Sequence, residues 1–398
     1  MQCDFLVIGG GIVGLSIARE LRQVFSDSEI ILLEKEPACG LHASGRNSGV
    51  LHAGFYYTPD SLKARMTCAG NRLLAQYCEQ YGLPLNRCGK LVVARDEHDL
   101  AVLDMLMKRG LANGVELKMV SSAEAREIEP RVITHERAIF SPNTASIDPR
   151  AVMRSMEEQA LGEKIQLHRG VRFLQREKQQ VVTTAGRYEA GYVVNAAGLY
   201  ADTVARQYGF SQTYRILPFK GVYLYSREPA GALRTNVYPV PDMKFPFLGV
   251  HFTVTVDGRN KIGPTAIPAL WREQYAACRN FRLGEFMECT RLGLNLLMHS
   301  GFDFRRLAVD EFRKYRREYM IQLAAQMVSD IDRGNYREWG KPGIRAQLLN
   351  TENSTLEMDF IVEGDDKSMH VLNAVSPAFT CAIPFARYVC GQIRQHLH

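Results

Sequence analysis

The stretch CDFLVIGGGIVGLSIARELRQVFSDSEIILLEKE, residues 3 to 36, decides the fold of this chain. Residues 5 to 8 form an apolar run of the length expected for a strand buried on both faces. Three glycines follow, and apolar residues then recur with helical period up to Leu21. A second apolar run, residues 30 to 33, ends at Glu34. The order predicts a strand, a glycine turn, a helix and a second strand closed by an acid.

The three glycines have the spacing that a bound dinucleotide requires. Gly9 permits a tight turn, Gly11 lets the backbone approach a pyrophosphate, and Gly14 lets the helix pack closely on the strand. Free N–H groups at the start of the helix favour an anion. Glu34 follows Gly14 by 20 residues, which is about where an acid meets a ribose hydroxyl. The stretch predicts dinucleotide binding without choosing between NAD and FAD, and the alternative is a glycine-rich helix start without a ligand.

Length and composition narrow the class of protein. The 398 residues exceed the usual size of one core, so we expect two domains. A net charge of +6 is too mild to indicate a nucleic-acid partner. The nine cysteines lack a CxxC pair and the histidines lack metal-ligand spacing, so we predict packing thiols and no metal. No signal peptide or long apolar run is evident, which favours a cytoplasmic location.

A loop rich in small and polar residues follows the opening stretch. Residues 39 to 58 show neither helical nor strand period, and we expect them to lie along the ligand. The small residues that would allow a close backbone approach are Ala43, Ser44, Gly45, Ser48 and Gly49. Asn47 and Ser48 can donate or accept hydrogen bonds there. Helical period resumes over residues 61 to 81.

The remaining pattern predicts two sheets of different kinds. Residues 192 to 198 form a buried strand ending in small residues, which suits the carboxyl edge of a parallel sheet. Residues 216 to 267 are rich in β-forming residues broken by Pro and Gly, which favours an antiparallel sheet. The predicted fold class is α/β, with a Rossmann-type dinucleotide-binding domain and an α+β second domain built on an antiparallel, β-rich sheet. We assign residues 1–86, 145–214 and 339–398 to the first domain and residues 87–144 and 215–338 to the second.

The last third of the chain contains a basic cluster and a closing helix. Residues 281 to 330 are helical in pattern and carry Arg305, Arg306, Arg313, Lys314, Arg316 and Arg317 among apolar residues. A solvated helix face is one interpretation, and peripheral contact with an anionic membrane surface is the other. The final helix runs to His398, with Ser376 as its cap and Pro377 in its first turn.

These motifs together resemble a family. GGGIVG (9 to 14), LLEKE (32 to 36), VVNAAG (193 to 198), GIRAQ (343 to 347) and SPAF (376 to 379) are similar to motifs of the D-amino-acid-oxidase-like FAD oxidoreductases. Within that group, five segments resemble the L-2-hydroxyglutarate oxidase/dehydrogenase branch. They are GRNSGVLHAGFYYTPDSLKA (45 to 64), CGKLVVA (88 to 94), PFLGVHFT (246 to 253), IGPTAIPA (262 to 269) and NAVSPAF (373 to 379). The resemblance runs nearly from end to end.

The resemblance implies FAD as the cofactor and a β-rich substrate domain. It implies hydride transfer from the α-carbon of L-2-hydroxyglutarate to the flavin, giving 2-oxoglutarate, with electrons passed to oxygen or a quinone. The open alternatives are oxidation of another 2-hydroxy acid or an amino acid, and a flavin-binding module without redox activity. Family members often have a His where this chain has Arg46. We therefore expect non-covalent FAD, with His42 as the nearest attachment point.

The same resemblance suggests residues for the chemistry. Arg345 is similar to the arginine that clamps the substrate carboxylate, and a planar guanidinium suits that task. His52 is the preferred base for the hydroxyl proton and His251 is the second candidate, because an imidazole titrates near neutral pH. Further candidates for gripping a dicarboxylate are Lys220, Tyr57 and Tyr238.

The predicted FAD site draws on most of these motifs. Its members are Gly9, Gly11, Gly14, Glu34, Lys35, Ser44, Asn47, Ser48, Val171, Ala197, Gly198, Ser376, Pro377 and Ala378. Val171 is included because family members place the backbone of such a strand against the adenine. The start of the last helix would place its positive end near the reduced flavin.

Overall fold

The computed structural model describes residues 1–243, 247–299 and 304–397 of the chain. Three predicted features fall partly outside these residues. They are the first residue of the PFLGVHFT segment, part of the helical region 281 to 330, and His398 at the end of the last helix.

The helices follow the predicted order closely. Those of the described residues are α1 (Ile12–Val24), α2 (Leu62–Gln80), α3 (Glu97–Ala112), α4 (Ser122–Ile128), α5 (Pro149–Gly162), α6 (Ala201–Arg206), α7 (Leu283–His299), α8 (Phe304–Arg313), α9 (Arg317–Ala324) and α10 (Ala378–Leu397). Side-chain caps explain several starts, because Ser61, Asp96, Ser121 and Asp148 each accept a backbone N–H of the first turn. In the described part of the chain, no helix combines the length and the hydropathy needed to cross a bilayer.

The strands alternate with these helices. They are β1 (Gln2–Ile8), β2 (Ile30–Glu34), β3 (Val50–Leu51), β4 (Leu85–Asn86), β5 (Lys90–Val93), β6 (Lys118–Ser121), β7 (Arg137–Ser141), β8 (Ala145–Ile147), β9 (Gln166–Arg169), β10 (Phe173–Glu177), β11 (Gln180–Thr183), β12 (Gly186–Asn195), β13 (Tyr214–Gly221), β14 (Leu224–Ser226), β15 (Asn236–Pro239), β16 (His251–Val254), β17 (Asn260–Gly263), β18 (Ile267–Pro268), β19 (Tyr336–Trp339), β20 (Gly343–Asn350), β21 (Thr355–Leu356), β22 (Val362–Gly364) and β23 (Ser368–Val371).

The first sheet carries the glycine turn. Its order is β10-β11-β12-β1-β2-β9, with β23 beside β12 and β22 beside β23. The pairs around β1 are parallel, and β10, β11 and β12 form an antiparallel edge. Alternate residues of β1 enter two different cores, since Phe5 and Val7 face one and Leu6 and Ile8 face the other. Burial on both faces explains the continuous apolar run.

The second large sheet has an apolar face and a more polar face. Its order is β19-β14-β17-β16-β15-β5-β7-β6, and among its pairs β15 with β5 is parallel. Leu91, Val237, Phe252 and Ile262 face a core that includes Met320 of α9. Two smaller sheets, β18-β13-β20-β21 and β3-β8-β4, complete the strand pairing of the described residues.

The predicted fold class is confirmed, whereas some local predictions need correction. The last helix begins at Ala378, and the carbonyl of Pro377 accepts the N–H of Cys381. Ser376 and Pro377 therefore form the turn before the helix. The loop over residues 39 to 58 contains the short strand β3 and a 3₁₀ turn. The division into two discontinuous domains stays a prediction.

A buried ion pair fixes the segment that leads into α7. Nη1 and Nη2 of Arg272 donate to the Asp202 carboxylate, at 2.6 and 2.9 Å. Asp202 also accepts the N–H of Ile216. Both side chains are almost fully buried. Burial alone would raise the pKa of Asp202, but the adjacent Arg272 holds this pKa below its usual value. The pair holds residues 271 to 275, which include a carboxylate of the site described below.

We predict that Arg272→Met lowers the free energy of unfolding by about 3–5 kcal/mol at pH 7, because the Asp202 carboxylate stays buried without its counter-ion. Because the pKa of Asp202 is lowered in the folded protein, its contribution is complete above the unfolded value of about 4. It is lost as the pH falls through the folded value. Urea unfolding at several pH values measures this. The control is Arg87→Met, whose partner Glu79 is exposed, and an equal loss in both variants would contradict the prediction.

Candidate active site

A cavity of about 510 Å³ runs from the glycine turn to strand β20 and to Tyr223 and Pro264, which adjoin β14 and β17. The turn before α1, the end of β2 and the loop after β12 line one end. The loop over residues 40 to 52 lines its length, and the start of α10 and strand β20 line the far end. The carboxyl ends of β1, β2 and β12 thus open toward one crevice, as expected for a ligand site in an open α/β sheet.

Most residues predicted for FAD line this cavity. They are Gly9, Gly11, Glu34, Lys35, Ser44, Asn47, Ser48, Val171, Ala197, Gly198, Ser376, Pro377 and Ala378. Gly14 does not line it. A Cβ atom at Gly14 would lie 1.9 Å from the carbonyl oxygen of Gly9, so this glycine allows α1 to pack against the turn.

The turn provides a cradle in which a side chain would displace a ligand. A Cβ atom at Gly11 would meet only the hydroxyl of Ser44, at 3.2 Å, so the space above Gly11 is part of the cavity. Gly9 has a φ of +114°, and a Cβ there would lie 2.4 Å from the carbonyl of Ala196. Ser44 accepts the N–H of Ile12 at 2.9 Å. The residues present therefore fit the phosphates of a dinucleotide at the start of α1.

Glu34 is held in position by backbone groups. Its two carboxylate oxygens accept the N–H groups of Gly10 and Glu36, each at 2.8 Å. Burial raises the pKa of Glu34. The two hydrogen bonds leave lone pairs on the carboxylate for a ribose hydroxyl, which is the role that the sequence predicted.

Lys35 joins a polar network beside the cavity. Its Nζ lies 2.7 Å from Glu273 and 2.8 Å from Nε2 of His42, and it also contacts Glu36. Nδ1 of His42 lies 2.7 Å from the hydroxyl of Tyr275. The ligand atoms of Glu36, His42 and Glu273 lie within 4.8 Å of one another. The Lys35 ammonium contacts both carboxylates, and Lys35, Glu36 and Tyr275 fix the ring of His42.

Arg46 replaces the histidine that family members often carry. Its Nε donates to the carbonyl of Leu41 at 2.8 Å, and Nη1 donates to the carbonyl of Pro342 at 3.2 Å. The guanidinium also lies 4.4 Å from the centre of the Tyr275 ring. Arg46 therefore ties the loop over residues 40 to 52 to the segment before β20, and its chemistry offers no covalent bond to a flavin.

His52 and Arg345 meet the cavity at its far end. The backbone of His52 is held by Thr380 of α10 and Asn71 of α2. Its Nδ1 is buried and has no hydrogen-bond partner among the described residues. Burial, with the charges of Lys90 and Arg345, lowers the pKa of His52 to about 3. Burial and these two charges therefore favour the neutral form of the ring.

The structure does not bring four other predicted residues to the cavity lining. Lys220 pairs with Ile344 on β20, so it lies on the face opposite Arg345 and approaches Tyr315. The His251 ring stacks on Tyr238 at 3.7 Å, and its Nδ1 lies 2.9 Å from the carbonyl of Gly249. Tyr57 lies under Lys63. Tyr238 is buried behind the lining, in the second sheet.

Two residues at this end were missed in the sequence. Tyr223 lines the cavity, and burial raises the pKa of its hydroxyl to about 12. Lys90 is fully buried, and its charge helps to lower the pKa of His52. Its ammonium has no hydrogen-bond partner among the described residues. A lysine inside the apolar strand CGKLVVA is the signal that could have identified Lys90.

Comparison with known proteins agrees with this geometry. Residues 4–392 match the family model described as FAD dependent oxidoreductase. The chain belongs to this family. It is 34% identical to L-2-hydroxyglutarate dehydrogenase of Escherichia coli strain K12, over 98% of this chain and 93% of that protein. The human mitochondrial L-2-hydroxyglutarate dehydrogenase is also 34% identical, over 98% of this chain and 89% of that protein.

Solved structures share the fold at lower identity. L-α-glycerophosphate oxidase from Mycoplasma pneumoniae, with FAD bound, has a TM-score of 0.77 at 21% identity, covering 99% of this chain and 95% of that chain. Glycine oxidase from Geobacillus kaustophilus has a TM-score of 0.74 at 18% identity, with the same coverage. The protein is an FAD-dependent oxidoreductase, and FAD is its cofactor.

We predict that Gly11→Val abolishes FAD retention while the protein stays folded, because the new side chain enters the cavity without striking the backbone. The visible absorbance of the purified protein measures FAD, and far-ultraviolet circular dichroism measures the fold. Gly162→Val is the matched control, since a Cβ at Gly162 meets nothing within 4 Å. Stoichiometric FAD in the Gly11→Val variant would contradict this use of the cavity.

Proposed function

We propose that this enzyme oxidises L-2-hydroxyglutarate to 2-oxoglutarate and passes the electrons to oxygen or a quinone. The observation that carries the proposal is that Arg345 and His52 both line the far end of the cavity. One residue offers a cation for a carboxylate, and the other offers a neutral base for a hydroxyl. Relatives named L-2-hydroxyglutarate dehydrogenase, 34–36% identical over 98% of the chain, support this choice of substrate.

Arg345 is the proposed partner of the substrate's α-carboxylate. Strand β20 holds it opposite Phe219 of β13, and its guanidinium lies 5.4 Å from the centre of the Phe247 ring. Within the described part of the chain, the Arg345 side chain makes no hydrogen bond or ion pair. A guanidinium with free donors at a cavity wall can bind a carboxylate through two parallel hydrogen bonds.

His52 is the proposed base for the substrate's hydroxyl proton. Its neutral ring lines the cavity and its Nδ1 lacks a partner, whereas the competing His251 is committed to Tyr238 and to the carbonyl of Gly249. A proton acceptor must lie within reach of the proton it takes, so the cavity lining favours His52. Tyr223, on the same wall, offers a hydroxyl that can orient the substrate.

The cofactor supplies the redox chemistry that the side chains lack. When bound, FAD provides the acceptor for the hydride from the substrate's α-carbon. The chain's own residues bind, orient and deprotonate the substrate, while Gly11, Glu34 and the start of α10 would hold the cofactor. The N-terminal end of this 20-residue helix favours negative charge on a neighbouring group.

We predict that L-2-hydroxyglutarate bleaches the flavin of the wild-type protein in the absence of oxygen, as followed by its visible spectrum.

Arg345→Met is expected to reduce kcat/KM by at least about 30-fold, because truncating one partner of a buried charge pair costs about 2–5 kcal/mol. Arg337→Met, on the exposed part of β19, is the control and should match the wild type.

Each alternative has its own outcome in this experiment. Bleaching by another 2-hydroxy acid or an amino acid, but not by L-2-hydroxyglutarate, would replace the substrate. A flavin that no such substrate reduces would indicate a binding module instead. Reoxidation of the reduced protein by air or by a soluble quinone then identifies the class of electron acceptor.

We also propose that helices α7 and α8 contact an anionic membrane surface. Leu283, Met287, Leu294 and Met298 form one stripe along α7 and are each more than half exposed. The opposite stripe of α7, Cys289, Leu292 and Leu296, is buried. Four neighbouring basic residues are exposed, namely Arg305, Arg306, Arg313 and Arg316. Lys314 was predicted to belong to the same basic cluster, but it is buried beside Glu311. Exposed apolar residues flanked by arginines are typical of interfacial helices.

We predict that the protein binds vesicles containing phosphatidylglycerol at low salt, and that high salt weakens this binding by screening the arginines. The double variant Met287→Glu/Met298→Glu should bind at least about tenfold more weakly, since two apolar side chains are lost and two negative charges are gained. Leu111→Glu changes an equally exposed apolar residue on α3 and serves as the control. Vesicle sedimentation measures binding, and no sedimentation of the wild type at low salt would remove this proposal.

A further inference from the structure

The buried Lys90 lies on a sheet face that carries several cationic or polar groups. Lys90 of β5 pairs with Asn236 of β15, and Tyr238, two residues further on, lies across from His251 of β16. Thr253 of β16 pairs with Lys261 of β17. Side chains alternate between the faces of a sheet, and the intervening residues Leu91, Val237, Phe252 and Ile262 occupy the apolar core on the other side. Lys90, Tyr238, His251, Thr253 and Lys261 therefore share one face.

Lys261 joins this face to the wall of the cavity, whereas Lys90, Tyr56 and Tyr238 lie directly behind the lining residues. Lys261 donates to the carbonyl of Ser48 at 3.1 Å and lies 4.5 Å from the centre of the Tyr223 ring, and Ser48 and Tyr223 both line the cavity. The charges of Lys90 and Arg345 both act on His52 and on His251. Both cations are therefore close enough to influence the same two imidazoles.

Polar atoms without partners are concentrated around Lys90. The Lys90 ammonium, the hydroxyls of Tyr56 and Tyr238, and the hydroxyl of Thr253 are buried without a hydrogen-bond partner among the described residues. The ammonium lies over three aromatic rings, with the ring centre of Tyr238 at 4.3 Å, that of Tyr56 at 5.1 Å and that of Phe55 at 5.3 Å. No ion pair to Lys90 is present in the described residues. Burial lowers the pKa of Lys90 to about 7.

An ammonium without an acidic partner is costly to bury, and a nearby anion removes that cost. The proposed substrate carries two carboxylates, and Arg345 accounts for only one of them. The four-carbon stem of a lysine can move its ammonium without a change in the backbone. The tyrosine and threonine hydroxyls around it can donate to the remaining carboxylate oxygens.

We propose that Lys90, with the hydroxyls of Tyr56 and Tyr238, binds the distal carboxylate of the substrate and selects dicarboxylates over monocarboxylates. This inference rests on the proposed function, since it assigns the second carboxylate of that substrate. The ligand class is a five-carbon dicarboxylate held between Arg345 and Lys90. Lys90 acts as a specificity residue, and the hydride and proton transfers take place at the other end of the substrate.

The test compares the binding of two unreactive ligands to the FAD-loaded protein. Glutarate carries both carboxylates and butanoate carries one, and neither has a hydroxyl to oxidise. Perturbation of the visible flavin spectrum, or calorimetry, gives each Kd without turnover. We expect Lys90→Met to raise the Kd of glutarate by at least about 30-fold and the Kd of butanoate by less than about threefold. Lys90→Arg, which keeps the charge, should retain a clear preference for glutarate.

The matched control is Lys63→Met, which removes another buried lysine from α2. Burial also lowers the pKa of Lys63, to about 8, but its ammonium lies over the rings of Tyr57 and Phe360 and is subject to the opposite charge of Asp359. This variant should keep the wild-type Kd for both ligands. If Lys90→Met does not retain FAD, Lys90→Gln and Lys90→Arg provide the same comparison of charge.

The outcomes separate this inference from the proposed function. Equal effects of Lys90→Met on glutarate and butanoate, or no effect on either, would overturn the role of Lys90, and so would a wild type that does not prefer glutarate. Failure of L-2-hydroxyglutarate to bleach the wild-type flavin would overturn the proposed reaction. Preferential glutarate binding that depends on Lys90 would in that case still identify a dicarboxylate site.

Discussion

The architecture depends on a contact between two backbones, α1 against the turn that follows β1. With Gly14 in place, the helix can approach the carbonyl of Gly9 more closely than any side chain would permit, because a Cβ would lie 1.9 Å from that oxygen. A second close approach joins α2 to α10, where a Cβ at Gly70 would lie 2.3 Å from the carbonyl of Thr380. Residues of α1, α2 and α10 share one core. The two contacts thereby fix both ends of the cavity relative to the same sheet, since α1 starts at one end and α10 at the other.

The second large sheet contributes chemistry through the alternation of its side chains. One face is an ordinary apolar core, and the other carries Lys90, His251 and Lys261 in fully buried positions. A register shift of one residue would place these cations in the apolar core behind the sheet and move aliphatic residues onto the face that carries Lys90. The hydrophobic core behind the sheet therefore determines which side chains lie on the face that adjoins the cavity at Lys261. Stability and specificity depend on the same register.

The sequence predicted best what depends on neighbours in the chain. The turn at Gly9, the strand ending at Glu34 and the helix that starts near residue 61 are local patterns, and each lies where it was expected. Lys220 and Tyr238 were chosen from segments that were expected to face the cavity, but the sequence alone did not show which face of a sheet each would occupy. Strand pairing between distant segments decides that, as the pairing of Lys220 with Ile344 illustrates. Tyr223 precedes β14 and has no local motif, so only the assembled cavity identifies it.

The electrostatics of the far end link substrate binding to the proposed base. Burial lowers the pKa of His52, and the positive charges of Lys90 and Arg345 lower it further. A bound dicarboxylate would bring two negative charges to those same cations. Its field opposes theirs at the imidazole, and it thereby raises the affinity of His52 for a proton. In the free protein, the lowered pKa of His52 favours its neutral form. Once the substrate binds, the ring becomes a stronger base at the time when a hydroxyl proton must be removed. One set of cations can in this way both select a dicarboxylate and adjust the base that acts on it.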